Sequence, residues 1–213
     1  MQTPFIHNHQ LNFIHKQADF LIKTMRGIAD RQVLETVKYS AVQKIIATFD
    51  SLTTEQKSLL ELLGTYQQTE DIQNYLDSLE SHVIPFPEVT PKQIQKLFPK
   101  AKKLKAPEMS AVDLTRTTYL RWIDIAANRL FIVYPHEDRL IATEGQITPT
   151  NKRGFCMFCN RNQELGFFNV KMKAHSPDNL SSVGQYVCMD DETCNHSITD
   201  TEALEKFLLK VER

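Results

Sequence analysis

The sequence predicts an α+β protein, with an N-terminal antiparallel helical bundle over residues 1–83 and a mixed α/β domain over residues 84–213. Three observations lead to this prediction. Apolar residues recur at helical spacing in the first part, three prolines interrupt residues 84–91, and β-forming runs alternate with turn sequences from about residue 113. All four cysteines follow residue 155, which predicts a small zinc-finger module at about 150–213.

Four amphipathic helices are predicted in the first part. Asp30 and Thr53 are candidate N-caps, and Gln56 lies three residues after Thr53, the spacing of a capping box. The third helix should end near Gly64, and a fourth should begin near Thr69. Short connections between such helices favour a bundle with one shared core. The residues expected to face that core include Leu11, Ile14, Ala18, Leu21, Val33, Ala41, Ile45, Leu62, Leu63, Ile72 and Leu76.

The second part begins with a proline-rich segment, which stops helices and marks the boundary between the domains. Thr90 and Pro91 then fit the N-cap and first position of a short helix that ends near Phe98. A last helix should begin at Thr199 or Asp200. Between these helices, residues rich in β-formers predict strands at 130–134, 139–147, 167–172 and 183–187.

Composition excludes several classes of protein. The net charge is −1, divided as −3 over residues 1–83 (7 basic, 10 acidic) and +2 over residues 84–213 (18 basic, 16 acidic). So small an asymmetry does not by itself predict nucleic-acid binding. The N-terminus lacks a secretory signal, and no apolar run approaches the roughly 20 residues that span a bilayer. We therefore expect a soluble, cytoplasmic protein that does not bind membranes.

The cysteines form two close pairs, Cys156 with Cys159 and Cys188 with Cys194, separated by 28 residues. In a reducing compartment such pairs are more often metal ligands or redox groups than disulfides. Four thiolates would close a tetrahedral zinc shell, so we predict one structural zinc ion with no open coordination position. A redox-active pair and four unliganded thiols are the alternatives, although no thioredoxin-like βαβ setting surrounds the first pair.

The motifs around these cysteines resemble a known family. GFCMFCN, YVCMDDETCNHSITD and the preceding RWIDIAANRLFIVY are similar to the FusB-type fusidic acid resistance proteins, also called elongation factor G-binding proteins. The resemblance implies a helical bundle followed by a treble-clef-like zinc finger in an α/β domain. It also implies a non-enzymatic protein that binds the C-terminal domains of elongation factor G and promotes its release from the post-translocation ribosome, with or after fusidic acid.

The same resemblance implies which residues contact the partner. In the family, an aromatic residue before the first cysteine, a tyrosine before the third and a phenylalanine in the last helix carry the contact. These residues are Phe155, Tyr186 and Phe207 here, with Lys171, Lys173 and Arg153 as nearby basic groups. Val183 stands where the family has a lysine. The alternative interpretation is that the three aromatic residues only complete a small core.

Two classes of function follow. The first is an elongation factor G-binding protein, expected to be monomeric and to engage the ribosome only indirectly. The second is a zinc-containing RNA- or ribosome-binding module, to which the lysine-rich stretch at 92–105 could contribute phosphate contacts. Phe98 is the only aromatic residue in that stretch, so sequence-specific nucleic-acid recognition is not expected. The chain shows no catalytic motif, and we predict that it is not an enzyme.

Overall fold

The computed structural model describes residues 3–101, 104–172 and 181–212. The chain divides into two compact units, Met1–Ile84 and Pro85–Arg213. The described residues form seven α-helices and five strands, with the strands confined to the second unit, so the predicted α+β class is confirmed. None of the helices in these ranges is both long enough and apolar enough to cross a membrane.

The first unit is helical, and two of its helices begin where the sequence places caps. Asp30 accepts hydrogen bonds from the backbone N–H groups of Gln32 and Val33. Thr53 and Gln56 form a complete capping box. The four α-helices are α1 (Asn8–Gly27), α2 (Arg31–Ile46), α3 (Thr54–Glu61) and α4 (Thr69–Ser78), and short 3-10 helices follow α3 and α4 at Leu62–Gly64 and Leu79–His82.

The four helices surround one apolar core, which contains most of the predicted residues. Two predictions are wrong: Val33 is 46% exposed and Leu62 is 41% exposed. Val33 lies off the buried stripe of α2, and Leu62 begins a 3-10 turn in which Leu63 faces inward instead. The fully buried side chains of this core are Ile6, Leu11, Ile14, Ala18, Leu21, Ile45, Leu60, Leu63, Ile72 and Leu79.

The second unit is built on one antiparallel sheet with its strands in sequence order. Three helices accompany this sheet, α5 (Pro91–Leu97), α6 (Asp191–Ser197) and α7 (Glu202–Glu212). The strands are β1 (Leu120–Asp124), β2 (Arg129–His136), β3 (Arg139–Phe155), β4 (Asn162–Lys171) and β5 (Ser182–Cys188).

Apolar side chains cover both faces of the sheet, since successive residues of a strand point to opposite sides. On one face, Trp122 of β1 stacks on Phe131 of β2 with ring centroids 5.2 Å apart, beside Phe98 at the end of α5. On the other face, Phe168 of β4 packs against Phe207 of α7 at 5.6 Å. The cysteines belong to this second core.

The structure differs from the sequence prediction at two elements and in the extent of two strands. Strand β4 begins at Asn162, five residues before the predicted start at 167. Strand β1 and helix α6 were not predicted, because LRWID has no run of β-formers and DETCNHS has no apolar stripe. Strand β3 continues to Phe155, eight residues beyond the predicted end at 147. This extension places the first cysteine pair directly at the end of the β3 strand.

Candidate metal centre and docking face

The four cysteines converge at one buried point. Their sulfur atoms all lie within 4.8 Å of one another, although the residues come from two distant parts of the chain. The Sγ atoms of Cys156 and Cys194 are 3.8 Å apart, and those of Cys159 and Cys188 are 3.5 Å apart. All four are free cysteines rather than disulfides.

These distances fit a tetrahedral zinc site. Zinc–sulfur bonds of about 2.3 Å in a tetrahedron place the sulfur atoms about 3.8 Å apart. Hydrogen bonding between the thiols lowers the pKa of Cys156, whereas that bonding and burial raise the pKa values of Cys188 and Cys194. Four thiolates this close together would repel one another, so they need a bound cation, and a divalent thiophilic ion such as zinc provides the opposite charge.

Local backbone geometry positions each cysteine pair. Cys156 and Cys159 lie in the tight turn between β3 and β4, where Asn160 takes a left-handed conformation (φ 52°) and its N–H bonds the carbonyl oxygen of Cys156 at 2.9 Å. Cys188 is the last residue of β5, and Cys194 lies on α6. Asp190 caps α6 by accepting the N–H of Thr193 at 2.6 Å. The turn between β3 and β4 thus supplies two ligands, the end of β5 supplies the third and helix α6 supplies the fourth.

Residues far from the cysteines in sequence also contact the centre. The Tyr119 hydroxyl donates to Sγ of Cys194 at 2.9 Å, and Arg121 of β1 donates from Nη2 to the carbonyl oxygen of Cys188 at 2.9 Å. Asp191 forms an ion pair with Arg121. Burial raises the pKa of Asp191 above its ordinary value, and the Arg121 guanidinium opposes that rise. The only sequence sign of these contacts was an arginine inside the apolar stretch before β2.

Two protein-family models match the chain. The model "Elongation factor G-binding protein, N-terminal" matches residues 5–87, and the model "FBP C-terminal treble-clef zinc-finger" matches residues 96–208, more than half of the chain. The chain belongs to the elongation factor G-binding protein family. The predicted resemblance is therefore confirmed, and with the clustered cysteines it establishes one structural zinc ion.

A solved structure supports the same assignment along the whole chain. The structure of the fusidic acid resistance protein FusC superimposes with a TM-score of 0.82 and 25% sequence identity, and the match covers 99% of each chain. No curated protein matches the chain by sequence. This elongation factor G-binding protein therefore shares both its helical unit and its zinc-containing unit with a protein of known structure.

Large apolar side chains are exposed beside the zinc site of this family member. Phe155 is 68% exposed, Tyr186 52%, Met157 40% and Phe167 38%. The rings of Phe167 and Tyr186 contact each other across β4 and β5, with centroids 5.2 Å apart, and Met157 N–H bonds the Tyr186 carbonyl oxygen at 2.8 Å. We name these four residues the aromatic face. Phe167 was missed, although two adjacent phenylalanines in one strand must point to opposite sides.

The predicted contact residue Phe207 has a different environment. It is only 4% exposed and packs against Phe158 at 5.7 Å as well as Phe168. Its accessible edge lines a groove of about 370 Å³ between β5 and α7, with Val183 and Lys206 among the other lining residues. A partner could reach Phe207 only through this groove, and the predicted role of Phe207 as an anchor stays a prediction.

The predicted basic groups are placed unevenly. Arg153 is exposed and donates from Nη2 to the carbonyl oxygen of Asn162 at 3.0 Å, which holds it on the edge of the β3–β4 pair. Lys171 is exposed at the end of β4. Lys173 lies outside the described residues, as do Lys102 and Lys103 of the lysine-rich stretch. The roles of all these groups in binding stay predictions.

Proposed function

We propose that this protein binds the C-terminal domains of elongation factor G and promotes release of the factor from the post-translocation ribosome. Translation would thereby be protected from fusidic acid. The family assignment of both units and the fold shared with a fusidic acid resistance protein support this proposal. The observation that carries it is the aromatic face, a group of large exposed side chains next to a rigid metal centre.

The aromatic face has the properties of a binding hot spot. Exposed aromatic side chains that meet a pocket on a partner supply much of the free energy of protein–protein association. The zinc centre holds the backbone of Met157 and Tyr186 in place, so little conformational entropy is lost on binding. The nearby Arg153 and Lys171 would mainly increase the rate of association with an acidic surface.

Release of the factor then requires only a difference in affinity, with no covalent step. A protein that binds one conformation of the factor more tightly than the ribosome-bound conformation shifts the population away from the ribosome. A preference of about 1.4 kcal/mol changes that equilibrium tenfold. The expected activity is therefore stoichiometric, and it should saturate when the factor is fully bound.

Single alanine substitutions test the docking face. Tyr186→Ala should weaken binding of elongation factor G by about thirtyfold, because truncation of an anchor costs about 2 kcal/mol. Tyr39→Ala is the matched control: Tyr39 is 68% exposed but lies in the helical unit. Affinity is measured by calorimetry without ribosomes, and zinc content is measured for each variant. If Tyr186→Ala and Phe155→Ala retain zinc and bind as tightly as the parent, the docking face is elsewhere.

A second experiment tests release. Ribosomes stalled with the factor and fusidic acid are mixed with the protein, and dissociation of labelled factor is followed over time. The parent and Tyr39→Ala should accelerate dissociation equally, and Tyr186→Ala should need about thirtyfold more protein for the same rate if release follows affinity. Binding without any acceleration by the parent would reject the release step and leave the docking proposal intact.

One observation favours an additional contact with RNA. A cleft of about 670 Å³ in the second unit is lined by Lys100, Arg129 and Lys171, which come from three separate segments. Two carboxylates also line the cleft: Glu144, which pairs with Arg129 at 2.9 Å, and Glu212, which pairs with Arg139. Phosphate binding by such a cleft would weaken steeply as salt is raised, whereas binding through the aromatic face would not. Ribosome binding measured across a salt series separates the two.

A further inference from the structure

The segment just before and within β1 contacts the zinc centre from outside the cysteine-containing part of the chain. Tyr119 is fully buried, and its hydroxyl donates to the sulfur of Cys194, 75 residues later, at 2.9 Å. Its ring packs edge-on against Phe158, which lies between the first two cysteines, with centroids 5.9 Å apart. Tyr119 thus contacts one zinc ligand with its hydroxyl, and with its ring it contacts the turn that carries the other pair of cysteines.

Arg121 is the second contact from this segment. Its side chain is 0% exposed, its Nη2 donates to the Cys188 carbonyl oxygen, and its Nε lies 2.5 Å from Oδ1 of Asp191. A buried guanidinium with a single carboxylate partner is costly unless further negative charge lies nearby. Zinc with four thiolates carries a net charge of −2, which supplies that charge.

Asn195 completes the connection between the two parts of the chain. Its side-chain oxygen accepts the backbone N–H groups of Thr118 at 2.7 Å and Tyr119 at 3.2 Å. Its amide nitrogen donates to the Tyr119 carbonyl oxygen at 3.1 Å. Because Asn195 follows Cys194 directly on α6, these bonds fix the helix that carries the fourth ligand against the start of β1.

We propose that Tyr119 and Arg121 are positioning residues for zinc and control how slowly the ion leaves the protein. The Tyr119 hydroxyl stabilises the Cys194 thiolate by a hydrogen bond, and Arg121 offsets the net negative charge of the centre while holding Cys188. Groups that contact metal ligands in this way typically change metal affinity by 10- to 100-fold. This inference does not depend on the proposed partner of the protein.

Removal of one hydroxyl tests the proposal. Tyr119→Phe keeps the ring against Phe158 and deletes only the bond to sulfur. Tyr134→Phe is the matched control, because Tyr134 is also buried in the same core but donates to Glu205 rather than to a cysteine. The rate of zinc transfer to a chromophoric chelator should rise about tenfold or more in Tyr119→Phe and less than twofold in Tyr134→Phe.

A spectroscopic measurement separates positioning from simple loss of packing. In cobalt-substituted protein, the charge-transfer bands from thiolate to cobalt report the electron density on sulfur. Tyr119→Phe should shift these bands to lower energy, because the thiolate loses a donor, and Tyr134→Phe should leave them unchanged. Equal rates of zinc release in the two variants, or an unshifted cobalt spectrum in Tyr119→Phe, would overturn the proposed role of Tyr119.

Arg121 and the unmodified protein provide two further measurements. Arg121→Lys keeps the charge but presents one nitrogen, so it loses either the Cys188 or the Asp191 contact, and zinc release should accelerate severalfold. Release at the parental rate would remove Arg121 from the proposal.

In the unmodified chain, zinc removal should increase amide exchange at Thr118 and Tyr119 before it does so in the β2–β3 hairpin. Unchanged exchange at these two amides would reject the connection through Asn195.

Discussion

The two units reach a folded state by different means. In the first unit, amphipathic helices of 8 to 20 residues bury a continuous apolar core and contain no cysteine. In the second unit, α6 has only seven residues, and Cys194 and Asn195 are its only buried side chains. A helix this short, without an apolar stripe, gains little stability from packing. In α6, a metal ion bound to Cys194 and the hydrogen bonds of Asn195 take the place of apolar contacts.

The same contrast applies to exposed aromatic side chains. Tyr39 and Phe20 of the first unit are 68% and 50% exposed, so exposure alone does not distinguish them from Phe155 and Tyr186. The aromatic residues of the second unit differ because their backbone lies beside the zinc ligands, where Met157 N–H bonds the Tyr186 carbonyl oxygen. They differ also because Phe167 contacts Tyr186. We infer that rigidity beside the zinc centre, more than apolar surface, favours this region for docking.

Zinc removal should give the largest effect, because the cysteines that hold the metal ion all lie in the second unit. A structural zinc contributes on the order of 10 kcal/mol to the folding of such modules. Chelation should expose Trp122, the single tryptophan, and shift its fluorescence to longer wavelength, while the helical circular dichroism of the first unit persists. Restoration of zinc should reverse the shift. Loss of both signals in one transition would show that the first unit also depends on the metal.

The zinc ligands could be predicted from the sequence, because two close cysteine pairs in an otherwise cysteine-free chain have few other uses in a reducing compartment. The surroundings of the ligands could not. Arg121 lies in a segment for which no strand was predicted, and it is buried in contact with Cys188, 67 residues later. Helix α6 was missed because its cap and its asparagine replace the periodic pattern on which sequence prediction depends.

Only part of the aromatic face could be predicted from the sequence, because its residues come from different strands. Phe155 and Tyr186 were recognised from their positions beside the cysteines, but Phe167 becomes part of the same surface only through the register that places it opposite Tyr186. Register depends on side-chain packing across the whole sheet, which a local motif does not encode. Phe207 is 4% exposed, so its ring fits the alternative interpretation that it completes the core.

Truncation of a core residue in the first unit should give the next largest effect. Ile14 is fully buried, and Ile14→Ala should lower the stability of the helical unit by about 2–5 kcal/mol. Phe20→Ala on the same helix is the control, and it should change stability by about 0.5 kcal/mol or less because Phe20 is half exposed. Denaturant melts followed by circular dichroism report this unit, and Trp122 fluorescence reports the other. A shift of the fluorescence transition by Ile14→Ala would contradict separate stabilisation.

A glycine substitution tests whether the contact between Phe167 and Tyr186 contributes to binding at the aromatic face. A Cβ atom at Gly184 would lie 2.2 Å from Cζ of Phe167, so Gly184→Ala should push the Phe167 ring away from Tyr186. We expect affinity for elongation factor G to fall about fivefold, a cost of about 1 kcal/mol, with zinc content unchanged. Gly27→Ala is the control, because a Cβ atom at Gly27 would meet no other atom within 4 Å. Parental affinity in Gly184→Ala would remove Phe167 from the docking face.

The smallest expected effect comes from a pair of equivalent helix caps, one in each unit. Thr53 of α3 and Thr90 of α5 form the same capping box, in which the threonine hydroxyl accepts the N–H of Gln56 or Gln93 at 3.3 Å in both cases. Replacement of either threonine by alanine should cost about 1 kcal/mol, and replacement by serine should cost much less because the hydroxyl remains. The Thr90 hydroxyl also donates to Oε1 of Gln93 at 2.7 Å, so each alanine variant is compared with the serine variant at the same position.

Thr53→Ala should therefore lower only the transition seen by helical circular dichroism, and Thr90→Ala only the transition seen by Trp122 fluorescence. In zinc-loaded protein, the stabilisation from zinc binding far exceeds the stabilisation from the helix cap. Thr90→Ala should therefore leave the rate of zinc release to a chelator unchanged. Faster zinc release in Thr90→Ala would mean that the α5 side of the sheet also supports the metal centre. A shift of both transitions by either alanine variant would mean that the two units unfold together. It would contradict the conclusion that apolar packing stabilises the first unit and zinc stabilises the second unit independently.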